Sequence, residues 1–282
     1  MDTYSLTTIV SPEIKDLVVA HGYTIGMNGC TEEETAEGVK LILYFTSYSA
    51  AEETGREIIR RFPSLQTAIT EIADQDWNAQ WKASMQPALI APGIWVSPGW
   101  LPPPLSKADH WIKIEPKTAF GTGHHATTRL AARGIAALNG KLPPNFSLLD
   151  IGSGTGVLCF VAQTINAGLT IGTDIDPVCA GNLAENSANN PLARRSGFAI
   201  GTLAMFKMGA VFDCVVMNML QIESQPLLDA VTGLLKPYGR LIWSGILIEE
   251  KKNIVSDASQ KGFALHEETT EEEWWCGSFV RE

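Results

Sequence analysis

Residues 148–160 read LLDIGSGTGVLCF, and a second short signature, GTDIDP, spans residues 172–177. An apolar run broken by glycines at 152, 154 and 156, then resumed with helical spacing, is a strand, a tight turn and a helix. Asp174 ends the next apolar run, 22 residues after Gly152. Together these segments are the nucleotide-holding part of a parallel α/β sheet, with the ligand over the turn and the acid on its ribose.

What the turn lacks selects the ligand. A dinucleotide fold needs G-x-G-x-x-G, whose third glycine lets the helix pack closely and aim its amino end at a pyrophosphate, and here Val157 stands in that place. No Gly-Lys-Ser or Gly-Lys-Thr follows, so the turn is not a P-loop. Instead Asp150 precedes the first glycine by two residues, and an acid beside a side-chain-free turn suits a cation. S-adenosylmethionine carries a sulfonium, an ammonium and a ribose diol, and Asp174 is placed to accept both ribose hydroxyls. The competing reading makes Asp150 a turn cap, and Asp174 and Asp176 caps of a helix opened by Pro177.

Outward from the turn, strand and helix alternate as a parallel sheet requires. Strands are read in SLLDIG, LTIGTDI, GFAIG, FDCVVMN and RLIWSGIL, and helices in GVLCFVAQTINAG, PVCAGNLAENSA, QPLLDAVTGLLK and EEKKNIVSDASQKG. GFALHEETT and EWWCGSFVRE read as an antiparallel edge pair, with EEEWW a charged turn before the last strand or, in the competing reading, a contact for a basic peptide. Toward the start, YSLTTIV, EGVKLILYF and LQTAITEIA read as strands. SPEIKDLVVAHG, capped by Ser11 with Pro12 in its first turn, and SAAEETGREIIRRF read as the helices between them. This order is that of a small α+β domain over residues 1–74. Trp77, Trp81 and Met85 lie four apart until Pro87, which marks a linker helix over 75–90; the remaining α/β domain spans 91–282. The tryptophan stripe packs this linker or forms an aromatic wall, and LPPPLSKAD is a loop.

Composition narrows the setting. No apolar run reaches the roughly 20 residues of a membrane span, and MDTYSLTTIV lacks the plan of a secretory signal, so a cytoplasmic protein is expected. Cys30, Cys159, Cys179, Cys214 and Cys276 include no C-x-x-C pair and read as buried thiols, not as a disulfide framework or a structural zinc site. Of a net charge of −10, residues 1–76 carry thirteen acids against five bases. Such a surface repels nucleic acid and draws a basic protein, or simply keeps the domain solvated.

DWNAQWK, IEPKTAFGTGHHATTRL, LLDIGSGTGVL, GTDIDP, VVMN and SGIL occur in the order and near the spacing seen in the PrmA methyltransferases, which modify large-subunit ribosomal protein eleven. The chain also resembles the related lysine methyltransferases of an electron-transfer flavoprotein. The resemblance runs from about Asp76 to the end, and AFGTGHHATTRL is its most specific piece. It implies a seven-stranded class I (Rossmann-like) methyltransferase domain behind a ferredoxin-like recognition domain, with S-adenosylmethionine as cofactor and lysine or N-terminal amines as acceptors. Matched motif by motif, it implies cofactor contacts at Thr128, Gly152, Asp174 and Asn218, beside Asp150 and Gly154 of the turn. Two departures bear on substrate choice. VMNMLQIESQPL lacks the alanine usual before the asparagine and is longer after it, and EPKTAFG lacks a glycine common after its proline.

Methyl transfer is an in-line displacement, so positioning is the main contribution and neither a metal nor a nucleophile is needed. Asn218, ending its strand, offers a side-chain oxygen to the amine or the cofactor, or else caps a turn. Phe120 offers a ring face to a cationic transition state or packs in the core. His124, or its neighbour His125, offers a base for the amine proton or orders the loop. No metal site is expected, since adjacent histidines diverge. The expected enzyme is a monomeric protein methyltransferase of a basic ribosomal protein; the rivals are the flavoprotein methyltransferase, a nicotinamide-dependent oxidoreductase and a catalytically silent adapter.

Overall fold

In the computed structural model, which describes residues 3–72, 82, 84–207 and 209–282, the chain divides into two compact units, Met1–Met85 and Gln86–Glu282.

In the first unit β1 (Thr3–Val10), α1 (Pro12–Ile25), β2 (Gly29–Thr35), β3 (Gly38–Phe45), α2 (Tyr48–Arg61) and β4 (Ala68–Ile72) follow in order. The sheet runs β2-β3-β1-β4 with antiparallel neighbours throughout. It has four strands where the sequence pattern supplies three. The additional one, β2, reads GCTEEET and exposes its last five residues, so no apolar alternation announces it; pairing with β3 holds it in place. Alternate residues of β3, Val39, Leu41, Leu43 and Phe45, enter a core with Leu6, Val18 and Ile58. Ser11 occupies the N-cap of α1, but its side chain makes no capping bond; it hydrogen-bonds Glu13 instead.

The helix expected over 75–90 falls largely on residues 73–81 and 83, outside the described residues, as do Trp77 and Trp81. Its last part is not helical. After Pro87 the chain forms β5 (Ala88–Ala91), which pairs with β6 (Ile94–Ser97), itself paired in parallel with β7 (His110–Lys113). Trp95 and Trp111 sit opposite one another on this small sheet, with the proline-rich loop between its last two strands.

The remainder forms α3 (Ala126–Ala136), β8 (Ser147–Ile151), α4 (Val157–Thr164), β9 (Leu169–Asp174), α5 (Cys179–Asn189) and β10 (Ser196–Ile200). Then come β11 (Phe212–Asn218), α6 (Gln221–Ser224), α7 (Leu228–Leu234), β12 (Leu235–Leu247), α8 (Lys251–Gln260), β13 (Phe263–Glu271) and β14 (Trp274–Arg281). The sheet order is β10-β9-β8-β11-β12-β14-β13; the first five strands are parallel and the final pair antiparallel, as its sequence pattern indicates. Successive side chains on one strand enter opposite cores. Leu148, Val216 and Ile242 meet α3 and α4 on one face, while Leu149, Val215 and Trp243 meet α7 and α8 on the other. This two-sided burial explains the near-continuous apolar runs of the central strands. The chain leaves β8 toward β9 on one side and returns in β11 on the other, which opens a crevice at the carboxyl ends of β8 and β11.

Candidate active site

Gly152 follows β8 and Asn218 ends β11, so the sheet itself brings the glycine turn and the asparagine to one crevice. A cavity of about 960 Å³ lies there, lined among others by Phe120, His125, Gly152, Gly154, Asp174, Asn218, Met219, Glu223 and Trp274. A volume of that size is at the upper end for small-molecule sites.

The turn is built for close backbone approach. Gly152 (φ +74°) and Gly154 (φ +50°) adopt left-handed conformations. A Cβ on Gly154 would stand 2.3 Å from the Phe120 carbonyl, and one on Gly152 would stand 2.7 Å from the Met219 sulfur. The loop before α3 is pinned to the turn: the Thr155 amide donates to the Phe120 carbonyl at 2.9 Å and the Thr155 hydroxyl to the Gly121 carbonyl at 2.7 Å. Asp174, the last residue of β9, accepts from the Gly154 amide at 2.8 Å and from the Asp176 amide at 3.0 Å, one on each oxygen. Each carboxylate oxygen keeps a further lone pair, so the group is fixed in place and still able to accept two hydroxyls.

Asp150 takes a different position from the one its motif suggests. It is fully buried in β8 and does not line the cavity. Its Oδ1 has no hydrogen-bond partner and its Oδ2 receives only the Cys159 thiol, at 3.9 Å. Burial, and then the charge of Asp174, push its carboxyl up to about 7. Burial also raises the Cys159 thiol, and it carries Cys179 to about 11 with help from Asp174. All five cysteines are free thiols; Cys30 alone is partly exposed.

His124 is likewise not among the lining residues. Its Nε2 pairs with the Gln86 carbonyl at 2.9 Å, whereas His125 caps α3, accepts from the Thr127 amide and faces the cavity. Of the two adjacent histidines, His125 lines the cavity and His124 does not. Thr128 is buried with an unpartnered hydroxyl, and it is Thr127 that reaches the cavity, with its own hydroxyl 2.8 Å from His125 Nδ1. Asn218 does line it, and its buried Oδ1 has no partner. Phe120, 54% exposed, meets the edge of His125 at 5.4 Å between ring centroids, and His125 meets Trp274 at 5.3 Å. Trp274 carries no motif signal, lying in the closing hairpin about 150 residues from Phe120.

A run of amides supports this architecture. Asn182, Asn186 and Asn190 lie one turn apart on α5 and its C-cap. Asn190 accepts from the Lys113 amide at 2.8 Å and donates to the Lys113 carbonyl at 2.7 Å. Asn186 accepts from the Glu115 amide at 2.9 Å, Asn182 donates to the Glu115 carbonyl at 3.0 Å, and Asn186 also donates to the Thr155 carbonyl at 3.0 Å. The extended segment leading to Phe120 is thereby paired with helix side chains.

The groups present fit S-adenosylmethionine: the cavity is lined by a carboxylate with free lone pairs, Asp174, by the open backbone of Gly152 and Gly154, by the unpartnered Asn218 oxygen and by the rings of Phe120, His125 and Trp274. Among the described residues no group of acids, histidines and cysteines could hold a metal ion.

Comparison with known proteins gives the family. The family model described as ribosomal protein L11 methyltransferase (PrmA) matches residues 10–282. The Myxococcus xanthus ribosomal protein L11 methyltransferase is 30% identical over 83% of this chain and 79% of its own length. The Syntrophotalea carbinolica protein of the same name is 28% identical over 95% and 94%. That of Thermus thermophilus is 34% identical over 72% and 77%. A solved ribosomal protein L11 methylase from Lactobacillus delbrueckii subsp. bulgaricus superposes with a TM-score of 0.63 at 24% identity, over 70% of this chain and all of that one, and shares the α/β methyltransferase fold. The chain belongs to the ribosomal protein L11 methyltransferase (PrmA) family and is an S-adenosylmethionine-dependent protein methyltransferase.

Proposed function

We propose that the chain methylates lysine side-chain amines, N-terminal amines or both on ribosomal protein L11, in the cytoplasm and as a monomer. The observation that carries this reading is a likeness to L11 methyltransferases over 95% of the chain, which takes in the first unit as well as the catalytic one.

The bound cofactor supplies an electrophilic methyl group on a sulfonium. The chain's own residues do the rest. Asp174 would hold the ribose hydroxyls, and the backbone of Gly152 and Gly154 would lie against the cofactor. Thr128 and Asp150 would act from beneath, by shaping the loop and the charge of the turn, and Asn218 Oδ1 would accept a hydrogen bond from the incoming amine and orient its lone pair. Phe120, His125 and Trp274 would form the wall along which a cationic amine approaches. Holding the amine in line at about 3 Å is the contribution asked of these groups.

Residues 1–74 would recognise the target, 75–90 would link, and 91–282 would catalyse. The βαββαβ order with strands arranged β4-β1-β3-β2 supports a ferredoxin-like reading of the first domain, and its excess of acids suits a basic partner. Incubation of purified L11 with enzyme and S-adenosylmethionine, followed by intact-mass measurement, tests the proposal: added 14-Da increments support it, and an unchanged mass refutes the target. The same experiment with an electron-transfer flavoprotein tests the alternative target, on which the altered VMNMLQIESQPL segment bears.

A further inference from the structure

Three rings line the amine side of the cavity, and they arrive from separate places in the chain. Phe120 lies in the loop before α3, His125 caps α3, and Trp274 opens β14 directly after the turn at Glu272 and Glu273. Edge contacts between rings tolerate sliding, so their spacing needs another constraint. One guanidinium supplies it. Arg129, on α3, donates through Nε to Glu271 Oε1 at 2.6 Å, has its Nη2 3.5 Å from Glu272 Oε1, and donates through Nη1 to the His124 carbonyl. Arg133, one turn on, donates to the second Glu271 oxygen at 2.5 Å.

Arg129 and Glu271 side chains are 20% and 22% exposed, which separates this cluster from the screened surface pairs that contribute little. Burial raises the Glu271 carboxyl, and the hydrogen bonds from Arg129 and Arg133 outweigh it, leaving the group below its ordinary range. Arg129 does not line the cavity, so any effect on the reaction passes through its neighbours. Only an arginine has the rigid fork of donors to reach both a hairpin carboxylate and a loop carbonyl.

We propose that Arg129 and Glu271 are positioning residues, a clasp that fixes the hairpin bearing Trp274 against the loop bearing His125 and so sets the width of the amine channel. The proposal rests on the methyl-transfer reading of the cavity.

The test uses full-length protein labelled with 5-fluorotryptophan, with the Trp274 resonance assigned through Trp274→Phe, and the variants Arg129→Lys and Glu271→Gln. The Trp274 signal shifts or broadens in both variants while those of Trp95 and Trp111 stay in place. With L11 as substrate, kcat falls about tenfold in each variant and no further in the double variant. Affinity for S-adenosylhomocysteine, measured by calorimetry, stays within about twofold. A Trp274 signal unmoved in both variants overturns the clasp, and so does an affinity for S-adenosylhomocysteine that falls about tenfold or more, which marks a merely structural role. If the wild-type protein leaves L11 unmodified, the target assignment fails, and the fluorine spectra with the calorimetry still decide the clasp.

Discussion

The Asp174 carboxylate reaches across from β9 to the Gly154 amide at 2.8 Å, so the acid that would bind the ribose also braces the glycine turn. Asp174→Ala removes both functions. S-adenosylhomocysteine affinity should fall by about 100-fold or more, the equivalent of two charge-assisted hydrogen bonds. Isothermal calorimetry on the variant checks this, and wild-type affinity would remove Asp174 from the cofactor site.

Asn218 presents a buried oxygen with no partner at the end of β11. Asn218→Ala should lower kcat by about 100-fold through lost orientation of the amine. Cofactor affinity should change by less than about fivefold, since one neutral hydrogen bond is at stake. Single-turnover methylation followed by mass spectrometry separates the two quantities; a larger loss of affinity than of rate would make Asn218 a cofactor ligand only.

Asp150 gives the fold a pH dependence of unusual sign. Its folded-state carboxyl sits at about 7 against 3.8 for the free group. Between these values the folded chain keeps a proton that the unfolded chain has released, so stability declines as pH rises through that window and is level above it. The difference amounts to something on the order of 4 kcal/mol. Asp150→Asn mimics the protonated form and removes the slope. Urea denaturation of both proteins at about pH 5 and about pH 8 should show the variant gaining on the wild type at the higher pH. Equal differences at both values would mean that Asp150 is ionised in the fold.

Removal of residues 1–74 should leave S-adenosylhomocysteine binding intact, because the glycine turn, Asp174 and the cores on both faces of the seven-stranded sheet all lie in Gln86–Glu282. Methylation of L11 should disappear. Persistence of methylation at the full-length rate would contradict a recognition role for the first domain.

Which of these features the sequence reveals depends on how local their cause is. The glycine turn, Asp174 and Asn218 are legible because strand, turn and acid are neighbours in the chain, and sheet topology then places them together. The burial of Asp150 is not legible because it depends on flanking strands, Gly172 on one side and Val216 on the other. His124 and His125 are indistinguishable until the start of α3 is known, since the cap alone turns His125 inward. Trp274 reaches the site through a hairpin at the far end of the chain, and β2 has too few apolar residues to declare itself. The strands of the small sheet are four residues long, too short for period-two alternation to show.

The paired asparagines of α5 carry an implication for how this family varies. A helix here stands in for a missing neighbouring strand, and only a side chain ending in an amide at that length offers a donor and an acceptor in the pattern a backbone presents. Aspartate would lose the donor, and glutamine would overshoot by a methylene. Positions 186 and 190 should therefore be nearly as intolerant of exchange as those that touch the reacting atoms, and a mutational survey would flag them as functional although they perform no chemistry.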